Sequence, residues 1–248
     1  KYPFKGLCGA AVAFKLMQAI TNKLRINIDI ANKYLDLIAI GTAADIVPLI
    51  DENRIIMKIG LNMIKNSKIS GLVKLLEISG LYEKEISVGR LVYGIAPRIN
   101  AAGRLGDANR VIKLFTTKSE LESVKLAKIL NEENKKRQNI QEIMIKEAMS
   151  KLLNDKKLKD EKVIIIWDEN WDEGLIGIIA SKLKEEFNKP SIVFSIKNKI
   201  AKGSARSVSG FNLFEKLNEC KKYLISFGGH PMAAGLKLDI KNLNNFKE

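Results

Sequence analysis

Long apolar runs are missing from this 248-residue chain, and cysteine, histidine, proline and acid are all scarce. No stretch of eighteen consecutive apolar residues and no basic-then-apolar leader occurs, so we expect neither a membrane span nor a signal peptide. Cys8 and Cys220 stand far apart and outside any metal-ligand spacing, too few for a disulfide framework; a reducing compartment, the cytoplasm, is the expectation. The one histidine, His230, is the single candidate for imidazole chemistry. Acid is the minority charge, with 28 Asp and Glu against 42 Lys and Arg, a formal net charge of +14. That balance favours a polyanionic partner such as nucleic acid, although Lys, Ile and Asn are abundant throughout and general composition accounts for part of it. No repeat, low-complexity tract or protein-binding motif is visible, and we expect a monomer. The chain opens on Lys1-Tyr2-Pro3 and closes on Phe246-Lys247-Glu248, from which both ends are expected to be cut.

What is present is a 46% hydrophobic composition, ample for one large core or two ordinary ones. The most informative stretch is Phe227-Gly228-Gly229-His230-Pro231-Met232-Ala233-Ala234-Gly235. Two glycines before the imidazole permit positive φ or close backbone approach, proline stops a helix, and small residues leave room for a ligand. About 25 residues upstream, Lys202-Gly203-Ser204-Ala205-Arg206-Ser207 sets a cation, two hydroxyls and a guanidinium around a glycine, the groups a phosphate requires. Both stretches read as loops, and together they point to a phosphate site.

In chain order, Val12, Leu16, Met17 and Ile20 mark a helix over 8–20. Leu35 to Leu49 reads as a buried element ending in a small-residue turn that carries Asp45. That carboxylate either caps a turn or, if buried, needs a cation, a metal or several backbone donors. Amphipathic helices follow over 51–65 and 70–78. Ala96 to Asp107, with Arg98, Asn100, Gly103 and Arg104, reads as a polar loop: either a surface turn or a phosphate-contacting segment. Ser119 and Glu122 form a capping-box pair opening a helix to about Leu153, anchored by Leu121, Val124, Leu130, Ile140, Ile143 and Leu152. Its middle, Asn131 to Asn139, is polar all round, as expected where a helix crosses solvent between two bodies. Strands at 163–167 and 191–196 flank a helix over 175–187, a βαβ unit with partly parallel sheet. A helix at 211–217 and a strand at 235–240 complete a compact α/β module.

Taken in order, Thr42-Ala43-Ala44-Asp45-Ile46-Val47-Pro48-Leu49, Pro97-Arg98-Ile99-Asn100-Ala101-Ala102-Gly103-Arg104, Glu173-Gly174-Leu175-Ile176-Gly177-Ile178, Gly203-Ser204-Ala205-Arg206-Ser207 and Phe227-Gly228-Gly229-His230 closely resemble the RecJ family of single-strand-specific exonucleases in the DHH phosphoesterase superfamily. The resemblance covers nearly the whole chain. It implies an α/β fold of two domains joined by a long helix: the rear part of a DHH catalytic domain (1–118), the connecting helix (119–154) and a smaller mixed-sheet DHH-associated domain (155–248). It implies a metal-dependent hydrolase that digests single-stranded DNA from the 5′ end to mononucleotides, in DNA repair and recombination. Two Mn²⁺ or Mg²⁺ ions serve the family, and Asp45 matches the last of its metal-binding aspartates. Ser204 and Arg206 match residues that hold a DNA phosphate. His230 matches the residue that bonds the scissile phosphate and, with Asp45, counts as catalytic; the Gly228 and Gly229 amides assist. Arg98 or Arg104, with a leaning to Arg104, would contact phosphate from the first domain, and Lys202 would add charge.

The chain departs from the family pattern in lacking an Asp-His-His motif and the aspartate motifs before it, so most metal ligands are outside these residues. The family's C-terminal oligonucleotide-binding fold is not found either, and Asp172 stands where many relatives carry histidine in Trp-His-Glu-Gly. Two other readings stay open: the related branch that cleaves short oligonucleotides or cyclic dinucleotides, and a single-strand-binding module without chemistry.

Overall fold

A computed structural model describes residues 2–155, 158 and 160–248. Two compact units divide the chain, residues 1–136 and 137–248.

The first unit is helical. It contains α1 (Gly9–Lys23), α2 (Leu35–Ala44), α3 (Asp51–Ile64), α4 (Ser70–Ile78), α5 (Ala96–Leu105), α6 (Asn109–Thr116) and the first half of α7 (Glu120–Asn154). The Cys8 sulfur opens α1 by accepting from the Ala11 amide at 3.4 Å. This helix packs through Cys8, Ala11 and Phe14, while Val12, Leu16 and Ile20, expected as its apolar anchors, are about half exposed. The small side chains win because they allow closer helix contact. Gly60 plays the same part in α3: a Cβ there would stand 2.5 Å from the Leu35 carbonyl oxygen of α2. Asp36 is buried within α2, where Ser67 Oγ donates to one carboxylate oxygen at 2.6 Å and the Leu37 amide to the other at 2.7 Å.

The stretch expected as a polar loop at 96–107 is mostly helix. A π-helical turn at Leu91–Ile95 runs into α5, whose second residue is Pro97. Proline has no amide to donate back into that turn, so it leaves a gap in the hydrogen-bond ladder where the two helical segments join.

α7 begins as expected, with Ser119 Oγ accepting from the Glu122 amide at 3.3 Å. Of its expected anchors, Leu130 and Leu152 are buried and others are not. Leu121 and Ile143 are exposed, whereas Leu126, Ala127 and Leu130 are buried in the first unit and Met144, Ala148 and Leu152 in the second. The polar centre is engaged on one side and solvated on the other, where Glu132, Lys135, Lys136, Gln138 and Asn139 are exposed. Asn131 accepts from Arg98 Nε at 2.9 Å, Glu133 pairs with Arg110, and Asn134 is only 3% exposed. On the engaged side, polarity serves half-buried arginines on α5 and α6, a use that periodicity does not distinguish from solvation.

The second unit is built on a five-stranded mixed sheet in the order β1-β2-β3-β5-β4: β1 (Ile164–Asp168), β2 (Ser191–Lys197), β3 (Ile200–Arg206), β4 (Ser226–His230) and β5 (Ala233–Asp239). β1 and β2 are parallel and connected through α8 (Ile176–Phe187), and the remaining pairs are antiparallel. Asn198 and Lys199, both at positive φ, make the tight β2–β3 turn. On one face, Phe194, Ala201, Ala205, Ala234, Leu236 and Leu238 form the core, with Leu213 and Leu217 from α9 (Leu213–Glu219) and Leu243 and Phe246 from α10 (Leu243–Lys247). Both presumed loops of the phosphate motifs are therefore strands, 200–206 and 226–230. Two of their glycines answer to packing: a Cβ on Gly203 would stand 2.5 Å from the Phe194 ring, and one on Gly229 would stand 2.6 Å from Ala234 Cα.

Candidate phosphate-binding site

Strand alternation sends Lys202, Ser204 and Arg206 to one face of β3 and Ala201, Gly203 and Ala205 to the core. Register then extends that face across the sheet. Arg206 lies opposite Ala233, which lies opposite His230; Ser204 lies opposite Gly235, which lies opposite Gly228. Residues paired across strands share a face, so Arg206, Ser204 and His230 meet on one open surface with Ala233, Gly235 and Gly228 as its floor. A Cβ added to Gly228 or Gly235 would touch nothing within 4 Å. With strands about 4.8 Å apart, the floor is about 10 Å wide, enough for an extended chain.

α8 bounds this surface on the β3 side. A Cβ on Gly177 would stand 3.0 Å from Ser204 Oγ and 3.1 Å from Arg206 Nη2, so the first turn of the helix rests against both. The Ile176 and Gly177 amides, first donors of α8, meet no acceptor among the described residues. The positive end of the helix dipole thus adds to the guanidinium. Arg206 Nη1 donates to Ser204 Oγ at 3.0 Å and to the Ala205 carbonyl at 2.8 Å, holding the fork in place. Ser207 is structural: its hydroxyl donates to the Phe211 carbonyl at 2.6 Å and its amide to the Met232 carbonyl at 2.9 Å.

The last bond also sets which amides of β4 are available. With Ser207 bonded to Met232 and Ile240 to Lys199, even-numbered residues of β5 bond β3 and odd-numbered ones turn to β4. Gly228 and His230 are consumed in that ladder, while Phe227 and Gly229 present N–H and C=O groups at the free edge. Gly229 has φ +151°. Of the two glycine amides expected at the site, the ladder commits Gly228 and leaves Gly229. The exposed His230 ring accepts a long 3.4 Å bond from the Met232 amide at Nδ1, which turns Nε2 outward.

The first-unit candidates separate. Arg98 is half-buried, donating to Asn131 and to the Gly94 carbonyl, and burial lowers its pKa. Arg104 is exposed, with Asn100 and Gly103, at a hollow of about 560 Å³ completed by Ile99, Val111 and Ile112; partial desolvation lowers its pKa too, but it remains a cation. Asp45 is exposed at the C-terminal end of α2, so the burial cost that would have demanded a partner is absent. Ile46 after it lies at φ +53° and 77% exposed, a strained conformation for a β-branched residue. Among the described residues, no group of three His, Cys, Asp or Glu side chains could hold a metal ion.

Gly177 entered only within a motif of the resemblance, and Ala233 and Gly235 only as small residues leaving room for a ligand; none was expected to shape the site by its position. The signal for Gly177 was a glycine on the packed side of an amphipathic helix; for the other two it was visible only through register.

Residues 160–248 match the DHHA1 domain. The single-stranded-DNA-specific exonuclease RecJ of Bacillus subtilis is 40% identical over 99% of this chain, which covers 30% of that protein. The RecJ of Escherichia coli is 34% identical over the whole chain, covering 46% of it. Among solved structures, RecJ from Thermus thermophilus in complex with Mg²⁺ superposes with a TM-score of 0.84 at 32% identity, over 100% of this chain and 38% of that one. An exonuclease RecJ bound to manganese superposes with a TM-score of 0.83 at 33% identity, over 99% and 60%. The chain thus spans between about a third and a half of the length of the curated relatives named here.

Proposed function

We infer that this RecJ-like chain, with a DHHA1 domain at residues 160–248, supplies the strand-gripping part of an exonuclease that digests single-stranded DNA from its 5′ end in DNA repair and recombination. Residues 1–118 are the rear of a DHH catalytic domain, 119–154 the connecting helix and 155–248 the associated domain. The carrying observation is the convergence of Ser204, Arg206 and His230 on one open sheet face against the first turn of α8. Arg206 and Ser204 grip one phosphate, with the Ile176 and Gly177 amides directed at the same charge. His230 donates through Nε2 to the scissile phosphate, and the Gly229 amide serves the same oxygen region. Arg104 is assigned the phosphate contact of the first domain, because it is exposed beside Asn100 and Gly103 whereas Arg98 is half-buried.

The relatives solved with Mg²⁺ and Mn²⁺ support use of divalent metal; the assignment of Asp45 as one ligand is our own. The donors present do not fit a two-ion site: among the described residues no three His, Cys, Asp or Glu side chains come together, and the one exposed carboxylate of Asp45 cannot hold two hard cations. No hydrolytic step therefore follows from these residues alone. The same shortage favours a second reading, in which this polypeptide binds single strands without cleaving them.

Mn²⁺-dependent mononucleotide release from 5′-phosphorylated single-stranded DNA by this 248-residue chain, with binding followed in EDTA, tests both. Binding without release is expected. Release would overturn the ligand assignment, and absence of binding would overturn the phosphate grip.

A further inference from the structure

The open face of the sheet continues past the Ser204 row. Lys202 of β3 is directly opposite Lys237 of β5, which is opposite Ser226 of β4, and all three are exposed. This row follows the Ser204 row, as that follows the Arg206 row, at a step of two residues, about 6.8 Å. The step is comparable with the repeat of an extended sugar–phosphate chain, and Gly235 and Gly228 leave the path between rows open. Two lysines directly opposite on neighbouring strands repel each other, so the fold bears a cost at this row unless an anion offsets it. An anion is there: Glu173 Oε2 accepts from Lys202 Nζ at 2.7 Å. The Lys202 bond, aided by the fields of Lys197 and Lys237, holds the Glu173 carboxyl below its ordinary pKa. Glu173 belongs to the turn immediately before α8, whose first residues touch Ser204 and Arg206.

We propose that Lys202 and Lys237 form a second phosphate subsite, one row beyond the Ser204 and Arg206 grip, and that the Glu173 carboxylate occupies it until the next phosphodiester of a single strand displaces it. The proposal rests on the phosphate-grip reading above and extends it to a second nucleotide. Lys202 then does more than add charge. It takes part in measuring strand length, and Glu173 sets a threshold that a single phosphate does not cross.

Competition against a fluorescent single-stranded oligonucleotide in EDTA tests this, with 5′-phosphorylated thymidine mono- and dinucleotides (pT and pTpT) as competitors. The unmodified chain is expected to bind pTpT more tightly than pT. Lys202→Gln and Lys237→Gln each leave pT unchanged and weaken pTpT about tenfold, the scale of one charge-assisted contact. Glu173→Gln does the opposite, tightening pTpT with pT unchanged, a gain that a merely structural role for Glu173 does not produce. Arg206→Ala weakens both competitors. If the lysine variants weaken pT and pTpT equally, or Glu173→Gln brings no gain, the second subsite is overturned while the first stands. If Arg206→Ala leaves both competitors unaffected, the underlying phosphate grip fails instead.

Discussion

Arg206, in the proposed phosphate site, is held in place before any ligand arrives, since its bonds to Ser204 Oγ and the Ala205 carbonyl fix the guanidinium. Preorganisation of this kind lowers the ordering cost of binding. Arg206→Ala should weaken single-strand binding and reduce the slope of log K against log salt by about 0.7, one phosphate contact on a single strand, as read from anisotropy titrations at several salt concentrations. An unchanged slope would remove Arg206 from the site. Gly229 supports the site differently. Its φ of +151° suits glycine alone, and a Cβ would stand 2.6 Å from Ala234 Cα. Gly229→Ala should therefore cost about 1–3 kcal/mol in chemical denaturation and displace the edge amide beside His230. Native-like stability in that variant would contradict the geometry.

At the scale of elements, α8 and the end of α7 carry the second unit. Gly177→Ala raises helix propensity but pushes a methyl against Ser204 Oγ and Arg206 Nη2. Single-strand affinity should fall severalfold while the melting temperature stays within a few degrees, and full affinity would mean that α8 does not shape the site. α7 is tied to β1 through Lys151, which donates to Asp168 Oδ2 at 2.6 Å and to the Trp167 carbonyl at 2.8 Å. Burial disfavours the charged Asp168, but hydrogen bonds from Lys151 and the Asn170 amide outweigh it and hold the pKa below its ordinary value. A depressed carboxyl adds stability that is complete above its unfolded pKa and disappears as pH falls through the folded one. Lys151→Met should raise the acid-unfolding midpoint of the second unit, followed by near-ultraviolet circular dichroism of Trp167 and Trp171. An unmoved midpoint would show the pair to be screened.

For the whole molecule, composition alone established a basic chain with hydrophobic content enough for two cores, and period and capping located most helices. Val163 to Trp167 and Ser191 to Ile196, with a helix between, made the parallel β1–β2 pair legible, because uninterrupted apolar runs separated by a helix-length segment admit few other arrangements. The phosphate-binding character proposed for Ser204, Arg206 and His230 was suggested by chemistry alone, since guanidinium, hydroxyl and glycine need no fold to be recognised as an anion's partners. Their arrangement was not. Glycine-rich strings look alike whether the glycines free a loop or let strands and rings pack closely, and only Phe194 above Gly203 distinguishes the two. Likewise, the polar centre of α7 reads as solvated until Arg98 and Arg110 are placed beside it. The face shared by Arg206, Ala233 and His230 was decided by the tertiary structure alone, because strand register joins residues that lie 24 and 27 positions apart, and no local pattern encodes which of them will be neighbours.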